Sequence, residues 1–186
     1  MKRTGLIIAL LCTAVLAVSA QGKFFSKTAA VNFNAGTPLE DIDAQTNTGT
    51  IVLDATTGKL ESSVLVKAFQ FKRALMQEHF NENYMESSKF PKAVFKGEIS
   101  NLSDVNFKKE GAYKVKVKGT MEIHGVKKEI TTDGTLTVAG KNLKVKSEFI
   151  ILCADYDIKI PSVVADKIAK EVKVSFNAEL QPLVGK

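Results

Sequence analysis

The chain reads as an all-β fold, an antiparallel up-and-down barrel or sandwich, on three observations. First, residues 113–123 alternate strictly: Tyr113, Val115, Val117, Gly119, Met121 and Ile123 share one phase, and Lys114, Lys116, Lys118, Thr120 and Glu122 the other. A period of two sustained over that length marks a half-buried antiparallel strand, one face in a core and one in water. Second, the pattern restarts just past His124-Gly125, where Val126, Ile130, Leu136 and Val138 oppose Lys127, Glu129, Thr131 and Thr137, so the two strands form a hairpin. Third, strand-length segments recur along the chain with short turns between them, as up-and-down β architectures require.

Taken in order, the chain opens with a segment that reads as an export leader. Met1, Lys2 and Arg3 supply a positive head, residues 6–18 an apolar run too short to span a bilayer comfortably, and Val18-Ser19-Ala20 a small-residue cleavage site. Residues 1–20 are therefore expected to be a signal peptide and 21–186 one mature domain, placing the protein in the periplasm or outside the cell. Cys12 lies in the apolar run without a lipobox, so no lipid anchor is expected.

Eight strand segments follow. Val31, Phe33 and Ala35 alternate with Asn32 and Asn34; residues 50–54 and 59–71 flank Ala55-Thr56-Thr57-Gly58, a hairpin connection. Val64, Leu65 and Val66 are apolar on both phases, which predicts a strand covered on both sides. Residues 93–100, the two strands around His124-Gly125, residues 143–153 after the turn Ala139-Gly140-Lys141-Asn142, and a last strand with Val172, Val174, Phe176, Ala178 and Leu180 on one phase complete the set. Helix is sparse. Thr37-Pro38-Leu39-Glu40 has the form of a capping box and predicts one helical turn over 38–44. Residues 72–86 carry Met76, Phe80 and Tyr84 as an i, i+4, i+8 rail beside Leu75, an apolar edge suited to lie across a barrel mouth. Ser162, after Pro161, predicts a short helix through residue 169.

The net charge of +6 comes largely from lysines on the outward phase, Lys114 to Lys118 and again Lys144 and Lys146. Lysine there keeps a long strand soluble, and it also allows weak attraction to an anionic membrane surface. Nucleic acid is disfavoured, because no aromatics interleave the lysines. Past the leader a single cysteine remains, so no internal disulfide forms; Cys153 shares the inward phase of its strand and reads as packing. Groups for chemistry are few. Neither His79, beside Glu78 and Glu82, nor His124, at a hairpin tip, has the ligands of a metal site around it. No serine sits in a nucleophile elbow and no glycine loop cradles phosphate. No catalytic residue, metal or cofactor is expected.

Inward-facing apolar surface is plentiful: Phe33, Ile51, Leu53, Val64, Val66, Phe69, Phe71, Phe95, Val115, Val117, Met121, Phe149, Ile151, Val174 and Phe176. An eight-stranded barrel either fills with such side chains or holds one small ligand, and both outcomes remain open on the residues alone. In the first case the protein is a stress-response or interaction scaffold working through its loops; in the second it carries a long apolar lipid.

Several motifs, in their order and spacing, resemble the YceI-like polyisoprenoid-binding family. They are residues 75–95, with His79-Phe80 and Phe90-Pro91 before Phe95; residues 119–128 around His124-Gly125; and Asp155-Tyr156 followed by Ile160-Pro161 and a closing strand. The resemblance spans nearly the whole mature chain. It implies a single antiparallel eight-stranded, lipocalin-like barrel with one or two short helices, and a long isoprenoid or other apolar lipid as its partner. It makes the inward phases a tunnel wall, with Leu75, Met76, Phe80, Tyr84 and Phe90 near the rim. His79, Phe90, Pro91, His124 and Gly125 match family motifs and are expected to shape loops and the barrel end. The first strand departs from the family's His-Ser pair, reading Lys27-Thr28-Ala29-Ala30-Val31-Asn32-Phe33.

Overall fold

The computed structural model describes residues 22–183, so the expected leader lies outside the described residues. The strands are β1 (Lys23–Gly36), β2 (Asp43–Asp54), β3 (Lys59–Leu65), β4 (Gln70–Phe71), β5 (Lys92–Ile99), β6 (Gly111–Ile123), β7 (Val126–Ala139), β8 (Asn142–Leu152) and β9 (Ile168–Pro182), with one α-helix, α1 (Ala74–His79). Each long strand pairs antiparallel with the next long strand in sequence, and β1 pairs with both β2 and β9. The ring thus closes on eight long strands; β4 is an appendage paired to the start of β2 through Ala44–Phe71 and Gln45–Gln70. Closure removes the sheet edges that an open array of such strands would present to other chains.

Local chemistry bends the ring. The β1–β2 ladder slips twice, between Ser26 and Ala29 and between Ala29 and Val31. The hydroxyls buried at those bulges, Ser26 and Thr46, accept from the amides of Thr28 and Thr48. Gly97 faces Gly119 across β5–β6, and a Cβ on Gly119 would lie 2.5 Å from the Gly97 Cα, so only glycine permits this approach. The β7–β8 ladder runs only from Gly134–Ser147 to Ala139–Asn142. Beyond it the strands part, and the chain after β8 folds back as a 3-10 turn (Cys153–Tyr156) that lays Tyr156 and Ile158 against Val126 and Ile130. Part of the wall is therefore irregular chain.

The two ends differ. At one, Leu136 and Leu180 are 0% exposed and Leu53 1%, packed with Ala29, Leu143 and Val138 under a loop that contributes Leu102, Val105 and Phe107. This end is filled. At the other, inward side chains such as Phe33, Phe149, Val174 and Phe176 are only partly buried.

Four expectations are corrected. Residues 38–44 form no helical turn: Thr37 bridges Glu40 in a tight reversal, and β2 starts at Asp43. The Thr37 hydroxyl does accept from the Leu39 amide, but the chain must reverse to bring β2 beside β1. The strand expected over 59–71 breaks after Leu65 into a 3-10 turn (Val66–Ala68) that buries Val66, while Leu65 itself is exposed rather than covered. The helix expected after Pro161 is one 3-10 turn (Ser162–Val164), because Ile168 already pairs with Gly36. The helix over 72–86 is α1 followed by a wider π turn (Phe80–Tyr84).

Candidate ligand-binding cavity

The half-empty end is a blind cavity of about 540 Å³. That is within the ~300–1,000 Å³ that holds a small apolar ligand. Its floor is the upper surface of the filled end, with Leu53, Ile99 and Leu136; its walls are the inward phases of the strands. Phe33, Phe69, Phe71 and Phe80 stand on one side as an aromatic shelf, centroids 5.1–5.8 Å apart with edge-on and tilted geometries. Such pairs are favoured by the ring quadrupoles. Phe95, Met121, Phe149 and Ile151 form the facing wall.

Polar atoms inside are few. Ser62, Thr132 and Ser147 reach the lining. The latter two mark the point where the β7–β8 ladder ends: Ser147 Oγ donates to the Asp133 carbonyl at 2.8 Å and lies 3.3 Å from Thr132 Oγ1. Side chains there replace the missing ladder bonds. Cys153 also lines the cavity, and burial pushes its thiol pKa up, so it stays a protonated packing group. Burial likewise raises Tyr84 at the rim.

Hydrogen bonds frame the mouth. The guanidinium of Arg73, just before α1, meets Glu40 in the β1–β2 turn. Lys72 Nζ lies 2.9 Å from Asp41 Oδ2, and the Lys72 hydrogen bond and charge hold the Asp41 pKa below its usual range. Thr37 Oγ1 donates to the Asp166 carbonyl at 2.8 Å, tying the same turn to the segment before β9. On the opposite side, His124 Nδ1 donates to the Tyr156 carbonyl at 3.0 Å while Nε2 lies 2.9 Å from Glu86 Oε2. One imidazole thus joins the β6–β7 turn to the chain after α1 and to the segment after β8. The Phe90 ring packs edge-on to His124 at 4.7 Å, and Gly125 lies beneath it at φ +76°.

The chain belongs to the YceI-like domain family. The family model matches residues 18–180. No curated protein matches the sequence. Among solved structures, the chain is similar to a polyisoprenoid-binding domain from Saccharophagus degradans implicated in plant cell wall breakdown, with TM-score 0.75, 15% identity, 87% of this chain and 99% of that one covered. It is also similar to BcnA of Burkholderia cenocepacia, with TM-score 0.68, 14% identity and coverage of 82% and 95%. A Campylobacter jejuni YceI protein matches with TM-score 0.54, 14% identity and coverage of 100% and 91%. At these identities the likeness establishes the barrel of YceI-like proteins.

Within this YceI-like barrel, every wall and rim residue named from the sequence borders the cavity except Phe90. Phe90 instead braces the His124-Gly125 turn from outside, and the Pro91 carbonyl accepts from the Val66 amide at 2.9 Å. His79 stands exposed on α1 at the cavity edge. Among the described residues, no group of three His, Cys, Asp or Glu side chains is placed to hold a metal. Val31, Val145 and Val172 also line the wall; their inward phase was legible from alternation. Ile42, Ile158, Ile160 and Val164 line it from irregular chain, where no period exists to reveal them.

Proposed function

We propose that this YceI-like protein is an exported, periplasmic carrier that holds the chain of a polyisoprenoid or similar long apolar lipid in its barrel, meets a membrane surface to exchange it, and catalyses nothing. The observation that carries this reading is the cavity itself: predominantly apolar in its wall, filled at one end and open at the other. A chain entering it gains roughly 0.8 kcal/mol per buried methylene, less the cost of ordering it. With a blind floor, the chain goes in tail first and its polar head stays at the mouth, beside Glu40, Arg73 and Lys167. The polyisoprenoid-binding description of the S. degradans domain supports the ligand class. Of the catalytic candidates, His124 has protein partners on both ring nitrogens and the Cys153 thiol is buried.

The test is native and denaturing mass spectrometry of the purified protein, with and without added polyprenyl lipid. A stoichiometric isoprenoid that leaves on denaturation supports the carrier. An empty protein that also refuses polyprenyl lipid sinks it. Met121 borders both the cavity and the packed wall, so a Met121→Trp variant that circular dichroism shows to be folded should lose the lipid. A folded variant that binds lipid as well as the original would show that the wall has been wrongly assigned.

A further inference from the structure

The three most exposed large apolar side chains among the described residues are Val163 at 83%, Leu39 at 68% and Leu75 at 61%. Single exposed apolar residues are ordinary on protein surfaces. These three, however, stand on segments distant in sequence that are bonded to one another at the cavity mouth. Leu39 is at the tip of the β1–β2 turn, and that turn holds α1, which carries Leu75, through Arg73–Glu40 and Lys72–Asp41. The same turn holds the segment carrying Val163 through the Thr37 hydroxyl and the Asp166 carbonyl. Immediate neighbours of each tip, Glu40, Met76 and Val164, line the cavity, as does Leu75 itself. The result is an apolar crest continuous with an apolar lumen.

Charge says what kind of surface this crest meets. The crest's cations are spent locally: Lys72 lies within 3.9 Å of both Asp41 and Asp43, and Arg73 meets Glu40. In the adjoining chain Asp157, Asp166 and Glu171 match Lys159, Lys167 and Lys170 in number. The strand lysines that suggested electrostatic attraction sit on the barrel flank, where two of them, Lys118 and Lys146, pair with Glu98 and Glu148. Within the crest itself, then, cations and carboxylates balance, and no surplus charge there selects an anionic surface. The complement of a charge-balanced, uneven crest with apolar tips around an apolar opening is a fluid apolar phase.

We propose that the protein docks mouth-down on a lipid bilayer by sinking Leu39, Leu75 and Val163 into the boundary between head groups and acyl chains. The lumen then opens onto the acyl region, and a lipid chain passes between the two without crossing water. This rests on the carrier reading, naming the docking face and the force. It replaces attraction by flank lysines with apolar insertion that needs no anionic lipid.

The test is co-sedimentation of the purified protein with phosphatidylcholine vesicles, with and without phosphatidylglycerol, at low and high salt. Polyprenol uptake from detergent micelles is measured in parallel. The expected result is binding to phosphatidylcholine that changes little with phosphatidylglycerol or salt. The double variant Leu39→Glu/Val163→Glu, whose residues lie outside the cavity lining, should bind vesicles about a hundredfold less, at roughly tenfold per buried tip. Its melting temperature and micellar polyprenol uptake should be unchanged. Equal sedimentation of the double variant overturns the proposal, as does binding that requires phosphatidylglycerol and vanishes in salt. A protein that takes up polyprenol yet ignores vesicles overturns docking and leaves the carrier intact. One that docks through these tips but takes up no polyprenol supports docking and overturns the carrier.

Discussion

Identical truncations at the two ends of the barrel should have unequal costs, and the difference measures the cavity. Val138 lies in the filled end, 5% exposed, beside Leu136 and Leu143; Val174 faces the hollow and is half-buried. Val→Ala removes two carbons, a transfer loss of ~1.6 kcal/mol where the side chain is fully buried. At Val138 the packed ring cannot collapse onto the gap, so a cavity term of ~1 kcal/mol adds, giving ~2.5 kcal/mol in all. At Val174 part of the side chain already lacks partners, so it has less to lose, ~1 kcal/mol or below. At ~2–4 °C per kcal/mol for a domain of this size, Val138→Ala should melt about 5–10 °C lower and Val174→Ala about 2–4 °C lower. The assay is thermal and urea unfolding of lipid-free protein, followed by circular dichroism, with m-values compared to exclude a changed denatured state. Equal losses, within ~0.5 kcal/mol, would mean that the barrel is packed alike from end to end and that the carrier reading has no void to rest on. Loading the protein with lipid should then narrow the gap, because a bound chain supplies the contacts that Val174 lacks.

Three further outcomes follow from the mouth and the wall. Gly125→Ala puts a Cβ 2.5 Å from Phe90 Cε1 at φ +76°, so it should cost ~2 kcal/mol or more in urea unfolding; a neutral result would remove Phe90 from its bracing role. Cys153 should react with iodoacetamide at pH 8 far more slowly than a free thiol until the protein is unfolded, since burial raises its pKa; labelling at the free rate would contradict that burial. In an NMR titration Asp41 should ionise below the ordinary 3.8, and Lys72→Met should move it back toward that value. Because the folded-state pKa is the lower one, the stabilisation this pair gives is present above 3.8 and fades as pH falls through the folded value; an Asp41 shift unaffected by Lys72→Met would leave it without its cause.

Legibility in the sequence followed periodicity. β6 and β7 were readable to within two residues, because each buries one phase against a core and the other faces water. The same alternation picked out the wall from Ile51 to Phe176, since a barrel interior is the sum of its inward phases. Misreadings fell where local signals have two tertiary resolutions. Thr37-Pro38-Leu39-Glu40 suits a helix start and a tight reversal equally, and the pairing of β1 with β2 chose the reversal. Phe90 carried the right motif but the wrong role, because whether an aromatic before a strand enters the barrel or clamps a neighbouring turn depends on where His124 lies. Filling at one end also escaped detection. It depends on Leu102, Val105 and Phe107, loop residues with no period, folding under the strands.

The two ends also divide the molecule energetically. The floor is held by burial, while the mouth is held largely by polar links: Lys72–Asp41, Arg73–Glu40, Thr37–Asp166 and Glu86–His124, with partners that are mostly solvent-exposed. Exposed pairs of this kind contribute ~0–1 kcal/mol each, so the segments they join can separate at small cost while the floor stays packed. A blind barrel that admits a chain needs this asymmetry, because entry must move the rim without unfolding the ring. Native-state hydrogen exchange should therefore show the amides of residues 37–42, 73–79 and 159–167 opening well below the global unfolding free energy, and those of β6 to β8 near Leu136 and Leu143 exchanging only with it. Lipid loading should slow the first set and leave the second governed by global stability. If mouth and floor instead exchange together in the lipid-free protein, the rim does not open on its own, and a chain would have to enter by some route other than the one the cavity faces.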